Sequence, residues 1–150
     1  MKIDYFKIPE IKVSYKDTVK TSERFQIKCS EDVIKIFKVA FEECMQHHEE
    51  SYVIYLNRSN KVLGISNISK CGVASTIVDV KIIMQTALKV HASGIILSHN
   101  HPSSNSRPSM QDMTLTENIK SACKLLDITF LDHIIMTDED YYSFASEGRL

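Results

Sequence analysis

Residues 93–112 read SGIILSHNHPSSNSRPSMQD. The opening SGIILS is a short apolar run suited to a buried strand, and the Pro-, Ser- and Asn-rich residues from Pro102 to Pro108 must end that strand and turn the chain. Side chains alternate faces along an extended backbone, so His99 and His101 point to one side and Asn100 to the other. Ser109 stands at the start of the next helical stretch with Asp112 three residues on, and the two face the same way. A strand, a turn and a helix start therefore bring two imidazoles and a carboxylate toward one place.

Working outward, TIVDVKIIMQTALKVHA precedes this stretch and sets Val80, Ile83, Met84, Ala87 and Leu88 on one helical face. Before it, SYVIYLN and KVLGISNI are β-rich runs separated by Arg58, Ser59 and Asn60, which predicts a hairpin. From Ser30, a good N-cap followed by Glu31 and Asp32, apolar residues recur at helical spacing through Val33, Ile34, Phe37, Ala40, Phe41 and Cys44. This predicts an amphipathic helix of roughly four turns. Downstream, MQDMTLTENIKSACKLLD has helical spacing, and ITFLDHIIM and YYSFA read as two last strands. The order α, β, β, α, β, α, β, β predicts an α/β (α+β) fold with a mixed, mostly antiparallel sheet flanked by helices. Residues 1–27 lack periodicity and are expected to form an extended arm, leaving 28–150 as the single domain.

With 18 basic and 19 acidic side chains the formal charge is -1, so no general excess of positive charge supports nucleic-acid binding. The charged start MKIDYFKIPE is unlike a secretory signal, and no apolar run is long enough for a membrane span. A cytoplasmic protein is the expectation. Cys29, Cys44, Cys71 and Cys123 are spaced too widely for a CxxC knuckle and are expected to be thiols.

His99, His101 and Asp112 offer two nitrogen ligands and one oxygen ligand, leaving a fourth tetrahedral position for water as in catalytic zinc sites. Imidazole favours zinc over magnesium, and zinc-bound water loses a proton near neutral pH, so hydrolysis is the chemistry to expect. Ser109-x-x-Asp112 ahead of an apolar run is also a helix capping box, a reading that Pro108 supports but that leaves the paired histidines unexplained.

The pattern His99-x-His101, seven residues, Ser109, two residues, Asp112 resembles the JAMM motif of MPN-domain (JAB-like) metallopeptidases. More narrowly, SHNHPSSNSRPSMQD, LLDITFLDHIIM and YYSFASEG are similar to the bacterial RadC-like branch, often labelled DNA repair proteins. The resemblance implies an MPN-type fold, one Zn2+ per chain, and a peptidase or isopeptidase acting on a peptide or protein substrate. It further implies a general-base glutamate at the head of the first strand. In HHEESYVIYLN that place falls to Glu49, eight residues before Asn57, with Glu50 the fallback, since only one of two neighbours can face the metal. Ser109 would donate to the developing oxyanion. Asp132 would orient a ligand histidine from outside or pair within its strand, whereas His47 and His48, expected to end a helix, are not counted as ligands. The branch also admits a DNA-associated accessory role or a non-catalytic binding module. Two departures stand out. Ser104 replaces the branch's usual glycine after HPS, and Cys71-Gly72 and Ser75-Thr76 replace Gly-Gly and Gly-Thr, which is costly wherever a positive φ is required.

Overall fold

The computed structural model describes residues 11–70 and 78–150, so the replacements at Cys71, Ser75 and Thr76 lie outside the described residues. The chain runs α1 (Ser30–Ala40), β1 (Glu50–Leu56), β2 (Val62–Lys70), α2 (Val80–Lys89), β3 (Gly94–Asn100), α3 (Met110–Leu125), β4 (Thr129–Met136) and β5 (Tyr141–Ser143). The strands form one sheet in the order β2-β1-β3-β4-β5. Among the described residues only the β3–β4 pair is parallel, and the other three pairs are antiparallel. The expected mixed, mostly antiparallel sheet flanked by helices is what forms.

Alternation along the central strands divides the core in two. Val53, Tyr55, Ile95 and Leu97 pack with Ile83, Ala87, Ile119 and Cys123 of α2 and α3. Ile54, Leu56, Ile96, Ile134 and Met136 pack on the opposite face with Val33, Ile34 and Phe37 of α1. All seven residues of β3 are buried, because it has a strand on each side and a helix layer over each face. The parity of these positions sends His99 toward α3 and Asn100 toward α1.

Three local expectations change. The helix cap is Cys29, with Ser30 already the first helical residue. The helix ends at Ala40 after 11 residues, about three turns, and the chain continues through hydrogen-bonded turns in which Met45 N–H donates to the Phe41 carbonyl at 2.8 Å. His47 and His48 therefore lie well past its end, and the dipole argument for them does not hold. Leu88, placed on the apolar face of α2, is 52% exposed, while Ile83, Met84 and Ala87 are buried.

Residues 11–25 form neither helix nor strand and are mostly exposed. They run beside the start of β2, where Val62 N–H donates to the Phe25 carbonyl and Ile27 N–H to the Asn60 carbonyl, both at 2.9 Å. Among the described residues, no helix is long and apolar enough to cross a membrane.

Ser104 has a φ of +60°, so the loop does require the left-handed region that glycine enters without penalty. Its Oγ donates to Asp138 Oδ1 at 2.9 Å, an exposed bond that offsets part of the cost. Urea denaturation should rank Ser104→Gly at or above wild type and Ser104→Ala lowest by about 1 kcal/mol, since alanine keeps the backbone cost and loses the bond.

Candidate metal centre

The end of β3, the loop after it and the first turn of α3 build the site. His99 Nε2 lies 3.0 Å from His101 Nε2 and 3.1 Å from Asp112 Oδ1, and His101 Nε2 lies 3.7 Å from Asp112 Oδ2. These separations bracket the roughly 3.3 Å between neighbouring ligands of a tetrahedral zinc ion with bonds near 2.0–2.1 Å. A carboxylate oxygen of Glu49 and one ring nitrogen each of His99 and His101 form a group whose members are all within 4.8 Å of one another. Glu50 is turned the other way, its buried carboxylate accepting from the Tyr52 hydroxyl at 2.9 Å and Asn67 Nδ2 at 2.6 Å. Of the two neighbouring glutamates, Glu49 is the one on the histidine side.

Hydrogen bonding sets which ring nitrogens carry protons. The Thr116 hydroxyl has one proton and spends it on the Asp112 carbonyl at 2.7 Å, so in its 2.6 Å contact with His133 Nδ1 the oxygen must accept. His133 thus carries its proton on Nδ1 and presents a bare Nε2, 2.9 Å from His99 Nδ1, which must donate. His99 Nε2 is left as a lone pair facing the site. His101 reaches the same condition by a shorter route, because its Nδ1 donates to the Asn105 carbonyl at 2.7 Å and frees Nε2. His133 is fully buried and stacks on Phe144 with ring centroids 4.8 Å apart and planes at 5°, which fixes its orientation. Burial, followed by the charge that His99 carries whenever its Nε2 is also protonated, holds its pKa well below the ordinary 6.5.

Sequence reading did not assign His133 a contact with His99. The two are 34 residues apart and meet only because β4 lies parallel beside β3. Asp132, expected either to orient a ligand histidine or to make a polar pair in a late strand, does the second: it points to neither ligand and accepts from the Ser143 hydroxyl of the neighbouring β5 at 2.6 Å and from Ala145 N–H at 3.0 Å.

The capping box and the ligand reading prove compatible. Asp112 Oδ2 accepts from Ser109 N–H and Ser109 Oγ, each at 2.7 Å, while Asp112 N–H donates back to Ser109 Oγ at 3.1 Å. The cap holds one carboxylate oxygen and aims the other at His99. Burial alone would raise the Asp112 pKa, but the extra proton that His99 Nε2 shares with it in the absence of an ion, together with the two Ser109 donors, outweighs burial and keeps the carboxyl well below the ordinary range. The only hydroxyl proton of Ser109 is committed to Asp112 in this arrangement.

Asn100 works on the opposite face. Its Nδ2 donates to the carbonyls of Cys44, Met45 and His48 at 3.2, 3.1 and 2.9 Å, and its Oδ1 accepts from Glu50 N–H at 2.8 Å. It thus grips the backbone on both sides of Glu49. The residue between the two histidines holds the glutamate that faces them.

The donor set suits a borderline divalent cation. Two imidazole lone pairs and a carboxylate converge, and either an extra proton or a cation must lie between them. Ser51, paired with His99 across strands, adds in the same row a buried Oγ that has no hydrogen-bond partner among the described residues, a polar position that a water or substrate atom can satisfy.

The profile of the RadC-like JAB domain matches residues 27–149. The chain belongs to that family. This RadC-like domain is 43% identical over 129 residues to a UPF0758 protein of Flavobacterium johnsoniae, covering 79% of this chain and 56% of the relative. A UPF0758 protein of Porphyromonas gingivalis is 47% identical over 103 residues (68% and 45%), and UPF0758 protein YfjY of Escherichia coli is 36% identical over 102 residues (68% and 64%). The RadC-like domain here spans about half the length of most of the curated relatives it matches.

The buried neutral His133 makes the metal-free domain acid-sensitive. An unfolded histidine takes up a proton below its ordinary 6.5, whereas the folded one does not until far lower pH. Stability from this group is therefore whole above about pH 6.5 and falls with pH below it, by up to about 1.4 kcal/mol per unit. Urea denaturation of chelator-treated protein at pH 7.5, 6.5 and 5.5 should show that slope, reduced in His133→Gln.

Proposed function

We propose that this domain is a zinc-dependent hydrolase of peptide or isopeptide bonds, with the ion held by His99, His101 and Asp112 and the substrate a peptide or protein. The observation that carries the reading is the convergence of two imidazole lone pairs and a carboxylate at 3.0–3.7 Å, with both tautomers fixed from behind by His133 and Asn105. A bound zinc ion supplies Lewis acidity toward a carbonyl and lowers the pKa of a bound water to about 7.

Glu49, on the histidine side of the chain, takes the proton of the attacking water and returns it to the leaving amine. Ser109 acts first through Asp112, whose carboxylate it holds by two bonds. An oxyanion role requires its hydroxyl to leave Asp112 when substrate arrives. The thiols of Cys29, Cys44 and Cys123 suit a reducing compartment, which supports a cytoplasmic location.

The test joins zinc analysis to a peptide-library cleavage screen. Wild type should bind zinc and cleave, and Glu49→Gln should keep the zinc and lose about a thousandfold in turnover, within the range for losing a positioned general base. Ser109→Ala should lose about tenfold or more in zinc affinity, as expected when a partner of a ligand is removed. Unchanged affinity with turnover down about a hundredfold would restore Ser109 as the oxyanion donor. Zinc bound without cleavage of any peptide would make the domain a binding module, and full activity in Glu49→Gln would remove the general-base assignment.

A further inference from the structure

On the α1 side of the sheet, across the chain from Glu49, stands a second group of potential ligands. A sulfur of Cys44, a ring nitrogen of His48 and a carboxylate oxygen of Glu50 all lie within 4.8 Å of one another. We propose that Cys44, His48 and Glu50 form a second metal site, separate from the histidine–aspartate centre, for a borderline divalent ion such as Zn2+ or Co2+.

The chemistry of the donors selects the ion. A thiolate with an imidazole and one carboxylate oxygen is a set for zinc or cobalt and a poor one for magnesium or calcium. Around such an ion, sulfur and nitrogen stand about 3.5 Å apart, given bonds near 2.3 and 2.0–2.1 Å. His48 Nε2 and Glu50 Oε1 are already 2.8 Å apart, so the group must open slightly there and close slightly elsewhere. His48 is the member free to adjust, since its side chain is 41% exposed, and it is also the side from which an ion enters. Cys44 and Glu50 are buried at 3% and 5% exposure.

Supporting contacts are those of a carboxylate ligand. Tyr52 and Asn67 both donate to Glu50 Oε2, which holds the group in one rotamer and turns Oε1 toward His48. The backbone is held as well, because Asn100 bonds to the carbonyls of Cys44 and His48 and to the N–H of Glu50. All three residues are therefore tied to one side chain before any ion arrives. Binding releases the thiol proton of Cys44, and any proton shared by His48 and Glu50, to solvent. Glu49 lies between two of these ligands, so an ion here also fixes its backbone.

Titration of the full chain with Co2+ tests the site apart from the proposed hydrolytic centre, which contains no sulfur. Wild type should take up two equivalents and develop a near-ultraviolet sulfur-to-cobalt charge-transfer band. The band should persist in Asp112→Ala, and in Cys29→Ser/Cys71→Ser, and vanish in Cys44→Ala. In His48→Gln, a change at a half-exposed ring that leaves the core intact, cobalt affinity read from the band should fall about tenfold or more. No band in wild type, a band that survives Cys44→Ala, or undiminished affinity in His48→Gln would overturn the proposal. If Cys44→Ala does not fold, His48→Gln decides it.

Discussion

Asp112→Asn should fold as wild type does and bind zinc at the His99–His101 site more than about a hundredfold more weakly. Asparagine retains an oxygen that can accept from Ser109 N–H and Oγ, so the helix cap survives, but it lacks the charge that makes this position a ligand. Asp112→Ala removes both functions. It should lose the zinc and, compared in the metal-free state, a further 1 kcal/mol or so of stability from the broken cap. Metal analysis after dialysis and urea denaturation with chelator present read the two effects separately. Zinc affinity unchanged in Asp112→Asn would reduce Asp112 to a cap and leave the histidine pair without its third ligand.

The second large effect is expected at Asn100, whose side chain faces away from His99, His101 and Asp112. Truncation of this fully buried residue to alanine leaves the Glu50 N–H and the carbonyls of Met45 and His48 without this partner, while the Cys44 carbonyl keeps the N–H groups of His47 and His48. Stranded buried polar groups cost about 1–3 kcal/mol each, and relaxation of the loop will recover part, so a loss of about 3 kcal/mol is expected. In a chain of this size that lowers the melting temperature by about 10 °C. Aspartate is no rescue. It keeps an acceptor for Glu50 N–H but sets a carboxylate against the carbonyls of Cys44, Met45 and His48, and should be worse than alanine. Because both anchors of Glu49 are released, turnover in Asn100→Ala should fall well beyond any loss of zinc affinity at His99 and His101. Equal losses would mean that Asn100 acts on the fold alone.

Much of this protein was readable from short-range pattern. Alternation put His99 and His101 on one side and Asn100 on the other, and three-residue spacing put Ser109 with Asp112 at a helix start. The order of helices and strands followed from the same periodicities, with errors only at ends such as the short α1. The likeness to RadC-like domains picked Glu49 over Glu50, and the structure sets Glu49 on the histidine side. Of the two readings of Asp132 the polar pairing among the late strands holds, through Ser143, and the orienting role does not, while the helix-end reading of His47 and His48 fails.

Tertiary structure alone decided what depends on the register between distant strands. The chain from Thr116 through His133 to His99, which fixes a tautomer, exists because β4 lies parallel to β3, and nothing within a few residues of His133 announces it. The grip of Asn100 on the turns before β1, and the meeting of Cys44, His48 and Glu50 beneath it, likewise come from β1 and β3 pairing across a separation of some 50 residues. Periodicity tells which way a side chain points; only the packing of one strand against another tells what it finds there.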